Sequence, residues 1–387
     1  MFNDNFLSID ELKQATKIPG IDGFRSHQFQ SLHIIPTVID KLLEKNKGKG
    51  LVILAIDGIR YDIMQQVVGT HYKDKVIPLT STFPSTSTVA WLTSCTGLMP
   101  HQHTIPGVVF LDEHSKTMMN CILQNHGHPT HINTEHVYER ENLKSSIFYR
   151  LKLKKYITKT FIGALQNYDC PWKDILLHNS DIVYPTKNLL ESNLNPLKMY
   201  KLFSAEMDAY IKHNAFDLIW SFVDLDSYIH LNGYTASLME TLYNFTLYIN
   251  DLVSRGYSVL LYSDHGLTEN INDKKTLDSW DDICSNIQMS HSPGGAGRVR
   301  WLYPDQHAIY SLEDIVDKSN LSFYLCAKET LNTLGLTHNG KIFNDRIGSI
   351  VACATNAYFP TVDKNFIFDH GSFTYNEMFV PLMIYPQ

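Results

Sequence analysis

Three continuous apolar runs each end on an aspartate, and this constrains the fold more than any other feature of the chain. Leu51 to Ile56 (LVILAI) shows no polar alternation, as expected of a strand buried on both faces of a parallel sheet. It ends at Asp57-Gly58. Phe216 to Val223 (FDLIWSFV) ends at Asp224-Leu225-Asp226, and Tyr257 to Ser263 (YSVLLYS) ends at Asp264-His265-Gly266. Between those two runs, Leu238, Leu242, Phe245, Ile249 and Leu252 recur at intervals of four and three, which predicts an amphipathic helix. Strands alternating with helices predict an α/β fold, a mostly parallel central sheet flanked by helices. Ligands of such sheets bind outside the carboxyl ends of the strands. A single Asp after a strand is commonly a turn former or helix cap. Three such ends, two with a histidine close by, are poorly explained by caps alone.

The 387 residues suit a single catalytic α/β domain spanning 1–387, with an inserted cap subdomain expected at 270–365. That segment opens on polar sequence and then carries SPGGAGRVRWLY, Ser292 to Tyr303. Its glycines predict a hairpin turn, with a lid over substrate as the alternative. The basic run Arg150 to Lys155 (RLKLKK) reads as a solvated edge strand or helix face, with a polyanion patch as the alternative. No internal repeat or low-complexity tract is present. A net charge of -7 argues against a basic field for gripping nucleic acid, so no stable nucleic-acid complex is expected. A small phosphorylated substrate, a nucleotide among them, remains compatible, because bound metal ions invert the local charge. No uninterrupted apolar window long enough for a membrane span occurs, so no membrane partner is expected. The start MFNDNFLSIDELKQ lacks the basic and apolar regions of a secretory signal, and the six cysteines form no CxxC pair. A cytoplasmic protein with reduced thiols is the expectation. Oligomeric state is left open.

The chemistry-bearing residues cluster at these strand ends. In Asp226-Ser-Tyr-Ile-His230, a helix starting after the strand would put the carboxylate and the imidazole on one face, able to grip one cation. Asp224 is a competing carboxylate, but its offset from His230 fits a helical face poorly. Asp264-His265 sits on a loop where adjacent side chains can turn toward one ion, and Asp57 is again followed by glycine. His370, in FDHGSFT, completes the set. Mixed carboxylate and imidazole ligands suit zinc or a similar first-row ion. The stretch STFPSTSTVAWLTSCTG (Ser81 to Gly97) is rich in hydroxyls, and Pro84 predicts a helix starting just after it. Such hydroxyls ordinarily cap a helix. A hydroxyl at a helix N-terminus also lies in a field that stabilises an alkoxide and an incoming phosphate.

In order along the chain, AIDGIRYD, FPSTSTVAWLTSCTGLMPHQHTIPG, DLDSYIH, YSDHG and DHGSFTYNEMFVPL resemble the alkaline phosphatase superfamily, type I phosphodiesterase/nucleotide pyrophosphatase branch. The resemblance implies an alkaline-phosphatase-like core and two divalent metal ions, zinc being the expected identity. Asp226, His230 and His370 look like the ligands of one, and Asp57, Asp264 and His265 like ligands of the other, completed by the nucleophile's oxygen. It further implies a covalent phospho-Ser/Thr intermediate. Counting ten residues back from the Gly of the closing Thr-Gly gives Ser87 as nucleophile; a Thr directly before Phe-Pro would give Thr82, and Thr86 is the third candidate. The chain departs from the family in having Ala90 where relatives place an Asn that holds a phosphoryl oxygen. It also has Ser221 where monoesterases carry a third-site Glu. The Ser221 feature favours hydrolysis of phosphate diester or nucleotide pyrophosphate bonds, whereas Ala90 counts against it. The alternatives are a phosphomonoesterase or phosphonate hydrolase on the same scaffold, a phosphomutase, or a binding module without catalysis. A sulfatase would need a Cys or Ser followed by x-Pro-x-Arg, which neither Ser87 nor Cys95 has.

Overall fold

The computed structural model describes residues 31–385 apart from 73–74, 113, 123–143, 168–169, 187–194, 306–322, 334–335, 338–339 and 362. The amino-terminal stretch considered above as a leader lies outside the described residues. The three predicted strands form as Leu51–Asp57, Leu218–Asp224 and Ser258–Tyr262, and every residue in them is buried. Leu51–Asp57 lies between the other two and is parallel to both, with Asp57 level with Asp224. The carboxyl ends are therefore flush, and the acidic residues emerge together.

These strands form the middle of a seven-stranded sheet ordered Ile77–Thr80, Phe379–Tyr385, Ser258–Tyr262, Leu51–Asp57, Leu218–Asp224, Thr158–Phe161, Ile182–Val183. Phe379–Tyr385 runs antiparallel to both its neighbours. The continuous apolar runs have a simple cause. Leu51, Ile53 and Ala55 enter one core with helices Ile35–Lys45 and Ser87–Thr96, whereas Val52, Leu54 and Ile56 enter a second core on the opposite face. Helices Tyr61–Tyr72, Pro196–His213 and Ala236–Ser254 cover that second face. With side chains alternating across the pleat, both faces must be apolar when both are covered. The predicted amphipathic helix is Ala236–Ser254, and its periodic residues Leu238, Leu242, Phe245, Ile249 and Leu252 are all buried.

A second, six-stranded antiparallel sheet is ordered Phe323–Ala327, Ile350–Ala354, Val299–Pro304, Met289–Ala296, Val109–Leu111, Met118–Asn120. Its first four strands come from the 270–365 segment, and its last two come from earlier in the chain. The glycine-rich stretch makes a hairpin, Met289–Ala296 against Val299–Pro304, turning at Gly297 with φ of 45°. A Cβ at Gly297 would lie 1.9 Å from the His370 carbonyl oxygen, so only glycine permits this approach. The basic run Arg150 to Lys155 lies on a helix, Ile147–Leu153, and its end, not on a strand. Arg150 and Lys154 pair with Asp40 at 3.2 and 3.0 Å. Among the described residues no helix is long and apolar enough to cross a membrane.

One buried ion pair joins the two sheets. Arg298 and Glu377 are both fully buried. The Arg298 Nε donates to Glu377 Oε1 at 3.1 Å, while its other nitrogens donate to Asn270 Oδ1 at 2.7 Å and to the Asn356 carbonyl at 2.6 Å. Glu377 also accepts from the Ser372 amide at 2.9 Å and from the Thr374 hydroxyl. Removing one partner would leave an uncompensated buried charge. Arg298→Ala is therefore expected to lower unfolding free energy by about 3–5 kcal/mol in urea titration. Arg298→Met combined with Glu377→Leu should recover most of that loss. A single-variant loss below about 1 kcal/mol, the range of an exposed pair, would show that the pair does not tie the sheets together.

Candidate active site

Asp57 ends the central strand, and Gly58 follows with φ of 83°. A Cβ on Gly58 would meet the Asp226 Cα at 3.0 Å, so glycine lets the two acidic strand ends lie close together. The Gly58 amide donates to Asp264 Oδ1 at 3.3 Å. As the sequence predicts, Asp226 opens a helix, Asp226–Asn232, and His230 stands one turn on. Its Nε2 lies 3.1 Å from Asp226 Oδ2. His370 arrives from far along the chain, after the short pairing of Phe368–Asp369 with Thr268–Glu269. Its Nε2 lies 3.9 Å from Asp226 Oδ1. Two groups can each hold a cation, with ligand atoms within 4.8 Å of one another: Asp226, His230 and His370, and Asp57, Asp226 and His265. Asp264 lies beside the second group, its Oδ2 3.2 Å from His265 Nε2. All six predicted ligands thus converge, and Asp226 is within reach of both groups.

The imidazoles share one orientation. The Nδ1 atoms of His230, His265 and His370 face the carbonyl oxygens of Phe368, Gly266 and Ser85 at 2.8, 3.3 and 2.9 Å. A carbonyl only accepts, so each Nδ1 carries a proton, and each ring in its neutral form turns a lone pair on Nε2 into the site. There the lone pairs meet carboxylates. Asp226 Oδ1 and Asp264 Oδ2 are buried without a hydrogen-bond donor. Acceptors facing acceptors in a buried site call for a cation, and the oxygen and nitrogen donor set fits zinc.

The titration behaviour follows from the same crowding. Burial and the charge of Asp226 push Asp264 up to about 8. Burial, then Asp264, Asp226 and Asp224, raise Asp57 well above the ordinary carboxylate range. For His230, burial works downward, but the Asp226 charge and hydrogen bond outweigh it and carry the ring to about 9. Burial and the neighbouring His370 hold His265 well below its ordinary value. For Asp226, burial works upward and is overcome by His230, His370 and His265, leaving it below the ordinary range.

Ser87 opens the helix Ser87–Thr96. Its Oγ lies 3.3 and 3.4 Å from the Asp57 carboxylate oxygens and 3.1 Å from His265 Nε2. Thr86 precedes it in extended conformation and also lines the cavity. Thr82 is fully buried and donates to the Pro84 carbonyl at 2.8 Å. Ala90 packs in the apolar core, and Ser221 donates to the Ile53 carbonyl. Both oxygens of Asp224 accept from Ser227, amide and hydroxyl, at 3.0 and 2.8 Å. The cavity measures about 640 Å³ and includes Gly294 to Gly297 of the hairpin in its wall.

Three supporting residues escape the sequence reading. Trp91 donates to Asp57 Oδ2 at 3.2 Å, and its spacing of four from Ser87 on the same helix was an available signal. Asp369 accepts from the His370 amide at 2.8 Å and the Thr361 hydroxyl at 2.9 Å, with only its adjacency to His370 to mark it. Ser263 accepts from the Ile59 amide at 2.8 Å and donates to the His265 carbonyl, which fixes the turn after Asp57 against the turn carrying His265.

Known proteins resemble this chain in family and in fold. The profile of the type I phosphodiesterase/nucleotide pyrophosphatase family matches residues 51–372. No curated protein matches the chain in a sequence comparison. Among solved structures, it is similar to murine ectonucleotide pyrophosphatase/phosphodiesterase 5, at 15% identity, TM-score 0.54 and coverage of 86% of this chain and 87% of that one. The human counterpart gives 13% identity, TM-score 0.57 and 87% coverage of each chain. Phosphonoacetate hydrolase from Sinorhizobium meliloti, in complex with phosphonoacetate, gives 12% identity, TM-score 0.60 and coverage of 96% and 93%.

The shifts predict how the metal-free protein responds to pH. Asp264 at about 8 lies above its ordinary 3.8, and His230 at about 9 lies above 6.5, so both hold protons more tightly folded than unfolded. Their stabilisation is present at low pH and is lost as pH rises through those folded values. His265 and Asp226, shifted downward, are deprotonated in both states above about pH 7.5 and contribute no slope there. Chelator-treated protein should melt at progressively lower temperature from about pH 7.5 to 9. A melting temperature that rises across that range would contradict the electrostatic reading of the site.

Proposed function

The chain belongs to the type I phosphodiesterase/nucleotide pyrophosphatase family of the alkaline phosphatase superfamily, and from that premise we propose that it hydrolyses phosphate diester or nucleotide pyrophosphate bonds through a covalent phospho-Ser87 intermediate. One observation carries this reading: the Ser87 hydroxyl at a helix N-terminus touches both Asp57 and His265, beside the Asp226, His230 and His370 cluster. Two divalent cations, zinc or similar, would be held by Asp226, His230 and His370 and by Asp57, Asp264 and His265, with Asp226 close enough to serve both. When bound, they would lower the pKa of the Ser87 hydroxyl and stabilise charge on the attacking and leaving oxygens.

The chain's own residues supply the rest. The Asp57 carboxylate, held by the Trp91 indole, positions Ser87 Oγ. The helix N-terminus favours the negative phosphoryl group at that point. As the Oγ–P bond forms, the bond to the leaving oxygen breaks; water later cleaves the Oγ–P bond and restores Ser87. The carbonyl-bound Ser221, where monoesterases carry a third-site Glu, supports diesters over monoesters. The second sheet, largely from 270–365, is read as the cap that borders the cavity through its hairpin. The free cysteines support a reducing compartment, the cytoplasm. A phosphonate hydrolase is the second reading, favoured by the 96% coverage of the match to phosphonoacetate hydrolase.

Ser87→Ala is expected to reduce diester turnover by at least about 10³-fold while metal content stays unchanged. Persistent activity in that variant, lost instead in Thr86→Ala or Thr82→Ala, would move the nucleophile. His230→Ala should lower bound metal in elemental analysis of the folded protein; a full complement would reject its ligand role. Bis-p-nitrophenyl phosphate should be hydrolysed faster than p-nitrophenyl phosphate, and the reverse order, or turnover of phosphonoacetate alone, would replace the diester reading.

A further inference from the structure

The basic run Arg150 to Lys155 takes no part in the chemistry above. It leads into Thr158–Phe161 at the amino edge of the parallel sheet, opposite the carboxyl edge that carries the acidic site. At that amino edge the segments entering four strands run side by side. The Lys49 amide donates to the Gly256 carbonyl, the Leu51 amide to the Asp217 carbonyl and the Asp217 amide to the Ile157 carbonyl, each at 2.8 Å. Neighbouring strands are about 4.8 Å apart, so the four segments fall within roughly 15 Å. Exposed lysines come from three of them. Lys47 and Lys49 precede Leu51–Asp57, Lys152 and Lys155 precede Thr158–Phe161, and Lys212 stands in the last turn of the helix before Leu218–Asp224.

The carboxylates around this edge are mostly engaged elsewhere. Asp40 is paired with Arg150 and Lys154, Asp181 with Lys159 at 2.6 Å, and Asp208 and Asp251 with Arg255 at 2.7 and 3.0 Å. Asp217 is half-buried and accepts from the Ile157 amide at 2.7 Å. Lys47, Lys152, Lys155 and Lys212 have no carboxylate within ion-pair distance among the described residues. A chain of net charge -7 therefore keeps a local positive surplus here. Two aliphatic side chains stand among the lysines. Leu153 is 66% exposed, the most of any large apolar residue among those described, and Ile157 is 49% exposed. An anionic bilayer satisfies both features: ammonium groups meet its headgroup phosphates, and aliphatic side chains enter the boundary with the acyl chains. The backbone of a nucleic acid matches the charge but offers no such apolar layer.

We propose that the amino edge of the parallel sheet is a docking surface for an anionic lipid bilayer. Docking of this kind is peripheral and needs no spanning helix. It turns the carboxyl edge, with its cavity, toward the aqueous phase. The inference does not depend on which phosphoryl bond the cavity cleaves.

The test is co-sedimentation of the full chain with phosphatidylcholine vesicles, either pure or containing about 30% phosphatidylserine. Binding is expected to the mixed vesicles only, and to weaken as salt is raised. Lys152→Glu combined with Lys155→Glu should lower the partition coefficient at least about tenfold. Lys47→Glu combined with Lys49→Glu, on a separate segment, should act in the same direction. Leu153→Ser, which leaves the charge unchanged, should lower it at least about threefold. Melting temperatures and turnover of a soluble diester should stay at the parent values in all three variants, which separates lost docking from lost fold. No binding to the mixed vesicles, equal binding to both kinds, or parent-level binding by Leu153→Ser would overturn the proposal. Tighter binding to a single-stranded oligonucleotide than to the vesicles would assign the edge to nucleic acid instead. Each of these failures leaves the hydrolase reading standing.

Discussion

Buried like charges are the constraint on which this structure depends. Asp57, Asp224, Asp226 and Asp264 are brought together at the carboxyl edge of parallel strands, and the last three are level with or just beyond the end of the first. Carboxylates so placed cannot all be ionised unless something positive joins them. Asp224 is accommodated by two hydrogen bonds from Ser227. Asp57 has the Trp91 indole. Asp226 and Asp264 each keep an oxygen without a donor, facing the inward nitrogens of His370 and His265. Protons on His230 and Asp264 can partly relieve this crowding, which is why burial and neighbouring charge drive both upward. A divalent cation relieves it more completely, and binding then releases those protons.

Much of this was legible in the chain. Runs apolar on both faces identify buried parallel strands because the pleat alternates, and the structure places them at Leu51–Asp57, Leu218–Asp224 and Ser258–Tyr262. A spacing of four predicted the shared face of Asp226 and His230, and Pro84 predicted the helix that Ser87 opens. What stayed hidden depends on residues far apart in sequence. The Arg298–Glu377 pair and the hydrogen bonds of Asp369 and Ser263 have no period to betray them. Nor does local pattern reveal that Val109–Leu111 and Met118–Asn120 would extend a sheet built mostly from residues 289–354. In RLKLKK the alternation suits a strand as well as a helix, and tertiary contact with Asp40 accompanies the helix.

The two sheets divide the labour. The parallel sheet supplies the carboxylates and His265 from strand ends, which gives them rigid backbones. The antiparallel sheet supplies no candidate ligand, yet it presses the Gly297 turn against the His370 carbonyl, where the Arg298 amide donates at 2.7 Å. His370 is held from the other side by the Ser85 carbonyl, two residues before Ser87. The imidazole of one metal group and the proposed nucleophile are thereby positioned by a shared short segment.

The most direct measurement is anomalous diffraction at the zinc edge from crystals grown with zinc and inorganic phosphate. Two peaks are predicted, one among Asp226, His230 and His370 and the other among Asp57, Asp264 and His265, with the Ser87 Oγ and a phosphate oxygen at the second. A single peak, or metal bound away from these residues with Ser87 remote from phosphate, would contradict the two-cation site.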